Sequence, residues 1–179
     1  MTNDPNPLLS RVADSVYWMA RYIERAENVA RYIGVNLNLQ LDLPLDPAHQ
    51  WAPLIETSGG KEEFLKRYDS ATQECVIEFL AYDDENPNSI FSCLRSAREN
   101  ARSVRETISS EMWAQINSMY LRIQSQRSMP AREHLLEVLQ EKLNLFELVV
   151  GETGLVLGEK FGSDEFADEV LRRWRDNEG

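Results

Sequence analysis

The chain has 179 residues, with 30 acidic against 19 basic side chains and a formal net charge of −11. That length suits one domain, expected to span 1–179, with a sizeable core. The acid excess argues against nucleic acid and anionic membranes as partners, since both need a basic face, and no run of 18 apolar residues exists to span a bilayer.

In chain order, the first long segment reads as an amphipathic helix. Val12, Val16, Met19, Ile23, Ala26, Ala30, Ile33 and Leu37 recur at alternating spacings of 4 and 3, which places all eight on one stripe. Pro5 and Pro7 precede this helix, and Pro44 and Pro47 stop it. The spacing predicts a helix from about 8 to 41, with a break or bend near Gly34.

Residues 45–57, with Trp51, Leu54 and Ile55, fit a short helix or packed loop, ended by Thr57-Ser-Gly-Gly60. Phe64, Leu65, Tyr68, Val76, Phe79 and Leu80 suggest one or two helices over 61–82, followed by an Asn- and Pro-punctuated turn over 83–88. Asn88 or Ser89 can cap the next helix, predicted over 89–109 from Ile90, Leu94, Ala97, Ala101, Val104 and Ile108. Ser109 or Ser110 opens another, with Glu111 in its first turn and a stripe of Met112, Ile116, Met119 and Ile123 flanked by Trp113 and Tyr120. Pro130 opens a further helix, with Leu136, Leu139, Leu143, Phe146 and Val150 on its apolar face and Gly151 as its cap. A glycine-dotted stretch then leads to a last helix over about 164–176. No segment alternates at period two, so the fold expected is an all-α bundle of about six to eight helices.

Signatures of chemistry are absent from the sequence. The opening Met1–Pro7 lacks the basic and apolar regions of a secretory signal, and Cys75 and Cys93 form no disulfide framework, so a reduced cytoplasmic setting is expected. Gly59-Gly60-Lys61 has Ile55 where a phosphate loop needs glycine, and glycines 151–162 lack the dinucleotide-binding spacing. Asp46 and Ala131 stand three residues before His49 and His134, so no Glu-x-x-His di-iron motif exists, and two distant cysteines make zinc a poor fit. No nucleophile elbow occurs. No cofactor and no metal are expected, and catalytic residues are not assigned.

Two polar helix faces remain. Fifteen of the 19 basic residues are Arg, whose planar fork suits carboxylate or phosphate. Residues 8–41 carry net +1 and residues 89–110 carry net +2, whereas 42–88 carry −8 and 111–179 carry −5. Arg95, Arg98, Arg102 and Arg105 form a stripe beside the apolar face of their helix, with Glu99 and Asn100 nearby. Such a stripe is either neutralised by acids of neighbouring helices, or binds a phosphate, a carboxylate or an acidic peptide, or is merely solvated. On the first helix, Asp14, Trp18, Arg21, Arg25 and Asn28 recur at 4, 3, 4, 3 opposite the core stripe, with Glu24 and Arg31 beside them. An exposed Trp18 is costly, so this helix is expected to contact protein on two sides. Ion pairs Asp14–Arg21 and Glu24–Arg25 are expected in networks on this face. Glu24, Glu27 and Glu99 are the available acid–base groups, but neighbouring arginines favour a charged carboxylate, which suits an ion pair better than proton donation.

Ser10–Ser15, Tyr17-Trp-Met19, Arg21-Tyr22 and Glu24-Arg-Ala-Glu-Asn28, then Asn86-Pro87 with Ser89-Ile90, Ala97–Arg102, Arg105-Glu106, and Ile108–Trp113 with Asn117 form an ordered series. This series resembles the bacterial alpha-E domain family. The resemblance covers roughly residues 8–150 and leaves 151–179 unmatched. It implies an α-helical protein associated with ATP-grasp-type ligases and transglutaminase-like proteases, in synthesis or processing of a peptide or amide-linked product. It carries no established catalytic residue. Members usually contain a second half with a similar Arg-Tyr-x-Glu-Arg-Ala helix, so this chain resembles mainly the first half. The implied role is a non-enzymatic helical partner or scaffold, and the alternative is an anion- or acidic-peptide-binding protein using the Arg-lined face. Self-association into a homo-oligomer is a third expectation, with Trp18 and Asp14 at the interface.

Overall fold

A computed structural model describes residues 7–42 and 47–127, and every regular element among them is helical. The first, α1, spans Pro7–Asp42. It is followed by α2 (Pro47–Thr57), α3 (Lys61–Leu65) and α4 (Gln73–Ile77), which continues into a π-helical turn over Glu78–Tyr82. The series closes with α5 (Ile90–Ser103) and α6 (Ser110–Gln126). The helices predicted to follow Pro130 and over 164–176, and the glycine-dotted stretch between them, lie outside the described residues.

The 4–3 stripe of α1 is its core face. Val16, Met19, Ile23, Ala26, Ala30 and Ile33 are buried, and Val12 and Leu37 pack partly buried at the two ends. A fully buried Ile or Met side chain contributes roughly 1.5–3 kcal/mol, so this stripe alone anchors the helix. The predicted break at Gly34 does not occur, because α1 is one continuous helix. Its neighbours hold it there. Ile33 is fully buried, and Asn36 is locked to α2 by reciprocal bonds. Asn36 Nδ2 donates to the Gln50 carbonyl (3.3 Å) and Gln50 Nε2 donates to the Asn36 carbonyl (2.8 Å). Tertiary contacts outweigh a glycine penalty of about 1 kcal/mol.

Helix α5 packs antiparallel on α1. Ser103 Oγ donates to Ser15 Oγ (3.1 Å), and ten residues along each helix Arg25 acts electrostatically on the Cys93 thiol. Ile90, Leu94, Ala97 and Ala101 are buried, and so are Val104 and Ile108. The last two are not helical, however. Val104 is the C-cap, and Thr107 and Ile108 donate back to its carbonyl in a tight turn (2.8 and 3.3 Å). The helix predicted to reach 109 therefore stops at Ser103. Ser109 is needed as the N-cap of α6, where its Oγ accepts from the Met112 amide (3.0 Å). Along α6 all four stripe residues Met112, Ile116, Met119 and Ile123 are buried.

The segment predicted as one or two helices resolves into α3 and α4 with its π turn. Phe79, Leu80, Ala81 and Tyr82 are four consecutive buried residues, and the Asp83 amide closes the turn on the Glu78 carbonyl (3.0 Å). The i to i+5 bond marks the wider π turn. Phe79 meets Phe64 edge-on at 5.3 Å, and Phe64 stacks on Tyr68 at 4.9 Å. No described helix is long and apolar enough to cross a membrane.

Candidate functional site: an arginine–aromatic ladder and the outer face of helix α1

The Arg stripe of α5 meets the aromatic residues of α6. Phe91, Arg98 and Arg105 recur every seven residues on α5 and the turn after it, and Trp113, Tyr120 and Arg127 recur every seven on α6 and its C-cap. Antiparallel packing interleaves the two sets. The Arg105 guanidinium lies 5.7 Å from the Trp113 ring. Arg98 lies between Trp113 (5.8 Å) and Tyr120 (5.0 Å). Tyr120 stacks on Phe91 at 5.7 Å, and Phe91 is flanked by Arg127 (4.3 Å) and Arg95 (5.6 Å). Each cation–π contact contributes about 0.5–1 kcal/mol where partly exposed.

Arg98 is the best-anchored member. Its Nε donates to Asn117 Oδ1 at 2.7 Å, and its Nη1 pairs with Glu99 at 3.1 Å. Glu99 also faces Arg102 at 3.6 Å, but Arg102 is 70% exposed, so that pair contributes little. Arg95 Nη2 reaches the Asp84 carbonyl (3.5 Å), and Arg127 pairs with the Asp84 carboxylate (3.1 Å). The hydrogen bond from Arg127 holds the Asp84 carboxyl below its usual range. Asn100 turns to its own helix, donating to the Ser96 carbonyl (2.9 Å). Sequence reasoning placed Trp113 and Tyr120 beside the apolar stripe without pairing them to the arginines. The heptad spacing of the two sets was the available signal.

On α1 the outward residues pair locally. Arg21 binds Glu24 (2.7 Å), one turn on, and not Asp14 two turns back. Glu27 pairs with Arg31. Arg25 lies over Tyr22 (5.8 Å), and Trp18 packs against Tyr17 (5.4 Å) and Tyr22 (5.9 Å). Asp14 and Asn28 are exposed, and Trp18 remains 41% exposed. Tyr32, Val35 and Leu39 are exposed on the same helix, which sequence reasoning had not singled out. Arg25 has a second neighbour in Cys93 of α5, whose thiol burial pushes up to about 12 despite the opposing guanidinium charge. A thiol held protonated in this way is a packing group and not a nucleophile at neutral pH.

A loop of side-chain bonds leads into α5. The buried Asn86 donates to the Phe79 carbonyl (2.9 Å) and accepts from the Asn88 amide (3.0 Å). Ser89 Oγ donates to the Asp83 carbonyl (2.5 Å) and accepts from the Ser92 amide (3.1 Å), which makes it the N-cap. The π turn, the loop and the start of α5 are thereby fixed as one unit.

The chain contains a single Glu-Arg dipeptide, Glu24-Arg25, on the helix that joins the core to this outer face. A family model named Alpha-E, described as a predicted alpha-helical domain with a conserved ER motif, matches residues 8–155. The chain belongs to the Alpha-E family. Neither the curated proteins nor the solved structures include a match. In this Alpha-E chain Glu24 pairs with Arg21, and the Arg25 guanidinium lies over the Tyr22 ring. Among the described residues no group of three His, Cys, Asp or Glu side chains is placed to hold a metal ion.

Proposed function

We propose that this Alpha-E chain is a non-enzymatic helical scaffold whose partner is an ATP-grasp-type ligase or a transglutaminase-like protease, in the making or processing of a peptide or amide-linked product. The observation that carries the scaffold reading is the outer face of α1. Trp18, Tyr32, Val35 and Leu39 are 41, 46, 54 and 44% exposed on a helix whose opposite face is fully packed. Tyr32, Val35 and Leu39 lie within two turns of one another and Trp18 lies farther along the same face, and exposed apolar side chains grouped on one face of a helix suit a protein contact. The choice of ligase or protease rests on the family resemblance. A bacterial, cytoplasmic setting belongs to the same reading. Glu24, Glu27 and Glu99, the acid–base candidates, are each ion-paired with arginine, an arrangement that suits a structural or binding network.

The test is co-purification of the full chain with each class of partner at near-physiological salt. A complex that weakens at least tenfold in Leu39→Asp supports the reading. Absence of a complex with both classes refutes it.

A second reading is favoured by one feature of the ladder, in which two guanidinium groups, Arg98 and Arg102, share the single carboxylate of Glu99. That leaves positive charge on the α5 surface for a phosphate or an acidic peptide. Calorimetric titration with inorganic phosphate, ATP and a Glu-rich peptide tests it. Binding that is abolished by Arg98→Ala with Arg102→Ala supports an anion site, and no binding removes it.

A further inference from the structure

The outer face of α1 is a second heptad seam. The positions Asp14, Trp18, Arg21, Arg25, Asn28, Tyr32, Val35 and Leu39 follow one another at spacings of 4, 3, 4, 3, 4, 3, 4. The spacing is the mirror of the core stripe on the opposite side of the same helix, and it runs for more than three heptads. Its apolar members Trp18, Tyr32, Val35 and Leu39 flank a polar centre of Arg21, Arg25 and Asn28, so a helix packed along it would meet apolar ends and a polar middle. At 1.5 Å per residue it is about 38 Å long.

We infer that a second copy of this chain covers the seam, with the two α1 helices antiparallel. The inference rests on the scaffold reading of this face as a protein contact and assigns the face itself to a second copy, so that a ligase or protease would bind the dimer and depend on this face through it. The argument is self-complementarity. In one antiparallel register, with the two-fold axis between positions 26 and 27, the six inner seam positions from Trp18 to Val35 find a complementary partner. Trp18 meets Val35 of the other copy, an apolar layer. Arg21 meets Tyr32, a cation over an aromatic ring. Arg25 meets Asn28, a donor against an amide oxygen. Asp14 and Leu39 close the ends.

Competing registers are penalised. A parallel pair would set Arg21 on Arg21 and Arg25 on Arg25. An antiparallel pair slipped by one heptad toward the N-terminus would set Arg21 on Arg25. Like charges in a desolvated seam are strongly unfavourable, so the polar centre selects one arrangement while the apolar ends supply affinity. The chemistry has a precedent within the same molecule. Arg98 against Tyr120 and Arg105 against Trp113 already join the antiparallel helices α5 and α6.

Sedimentation equilibrium of the full chain over roughly 1–100 μM, the range of a modest interface, reads the stoichiometry. The expected result is a species of twice the chain mass that dissociates at least tenfold more readily in Trp18→Ala with Val35→Asp. Circular dichroism of that variant is expected to match the parent, because both side chains are exposed. Spin labels read the orientation in a Cys75→Ser background. Labels at Asn28→Cys are expected close together, within about 15 Å, while labels at Asp14→Cys are expected near 38 Å, the antiparallel offset at 1.5 Å per residue. A monomer throughout the range overturns the inference, as does a dimer that survives the double substitution, or one with close labels at position 14. A monomer that still captures the ligase or protease leaves the scaffold reading standing with another occupant. A dimer that captures neither overturns that reading alone.

Discussion

Replacing Arg98 tests whether the ladder between α5 and α6 carries stability or merely decorates the surface. Arg98→Ala removes a charge-assisted hydrogen bond to Asn117 Oδ1 at 2.7 Å, which contributes about 1.5–3 kcal/mol. It also removes contacts to Trp113 and Tyr120, each contributing about 0.5–1 kcal/mol. The ion pair with Glu99 adds at most about 1 kcal/mol, since Glu99 is half exposed. Asn117 is only partly buried, so water replaces the lost donor and the loss falls near the lower end, at about 2–3 kcal/mol. Urea unfolding followed by far-ultraviolet circular dichroism measures this directly, and Trp113 fluorescence reports the ladder locally. Arg102→Ala is the internal control, with an expected change below about 0.5 kcal/mol at a 70% exposed site. A double-mutant cycle of Arg98→Ala with Tyr120→Leu isolates the stacking, with an expected coupling of about 0.5–1 kcal/mol. If Arg98→Ala costs less than Arg102→Ala, or if Arg98→Lys behaves as the parent, the ladder is not holding the helices together, because Lys lacks the planar fork.

Further outcomes follow from other parts of the fold. Gly60→Ala places a Cβ 2.7 Å from Phe79 Cε1, inside the Phe64–Tyr68–Phe79 cluster, and is expected to cost about 1–3 kcal/mol by thermal or urea unfolding. A neutral effect would show that the ring shifts freely. Ser89→Ala removes both the N-cap of α5 and the bond to the Asp83 carbonyl from a fully buried site. A loss of about 2 kcal/mol is expected, and recovery in Ser89→Thr would tie it to the hydroxyl. Cys93 is expected to resist thiol reagents at pH 8 until the protein unfolds, and modification of both cysteines at equal rates in the native state would contradict its burial. The sign of the linked stability is fixed by the raised thiol value. The protonated thiol is favoured in the fold, so its contribution is complete below about pH 9 and is lost as pH rises toward 12. Cys93→Ala is expected to flatten that alkaline decline in a stability–pH profile.

The sequence alone determined the helical class and the inward faces of α1, α5 and α6. Heptad-like spacing reports which side of a helix is apolar, and this is a local property. All eight α1 stripe residues accordingly take buried or partly buried places, and so do the stripes of α5 and α6. Ser89 and Ser109 were legible as caps, because a hydroxyl before an apolar run has few other uses. The α1 residues Asp14, Trp18, Arg21, Arg25 and Asn28 were legible as a periodic outer face by the same arithmetic. Tertiary structure decided the rest. Whether α1 breaks at Gly34 depended on the buried Asn36–Gln50 pair from another helix. The end of α5 depended on the turn that α6 needs, although Val104 and Ile108 keep the helical period outside the helix. The π turn was not legible either, because burial of Phe79–Tyr82 on packing, and not a local pattern, accompanies it. The role of the arginines depended on register. Spacing says that Arg98 and Arg105 share a side, but only the antiparallel crossing of α5 and α6 sets Trp113 and Tyr120 between them. The net charge of −11 gave no hint of this, because a stacked guanidinium and a solvated one count the same.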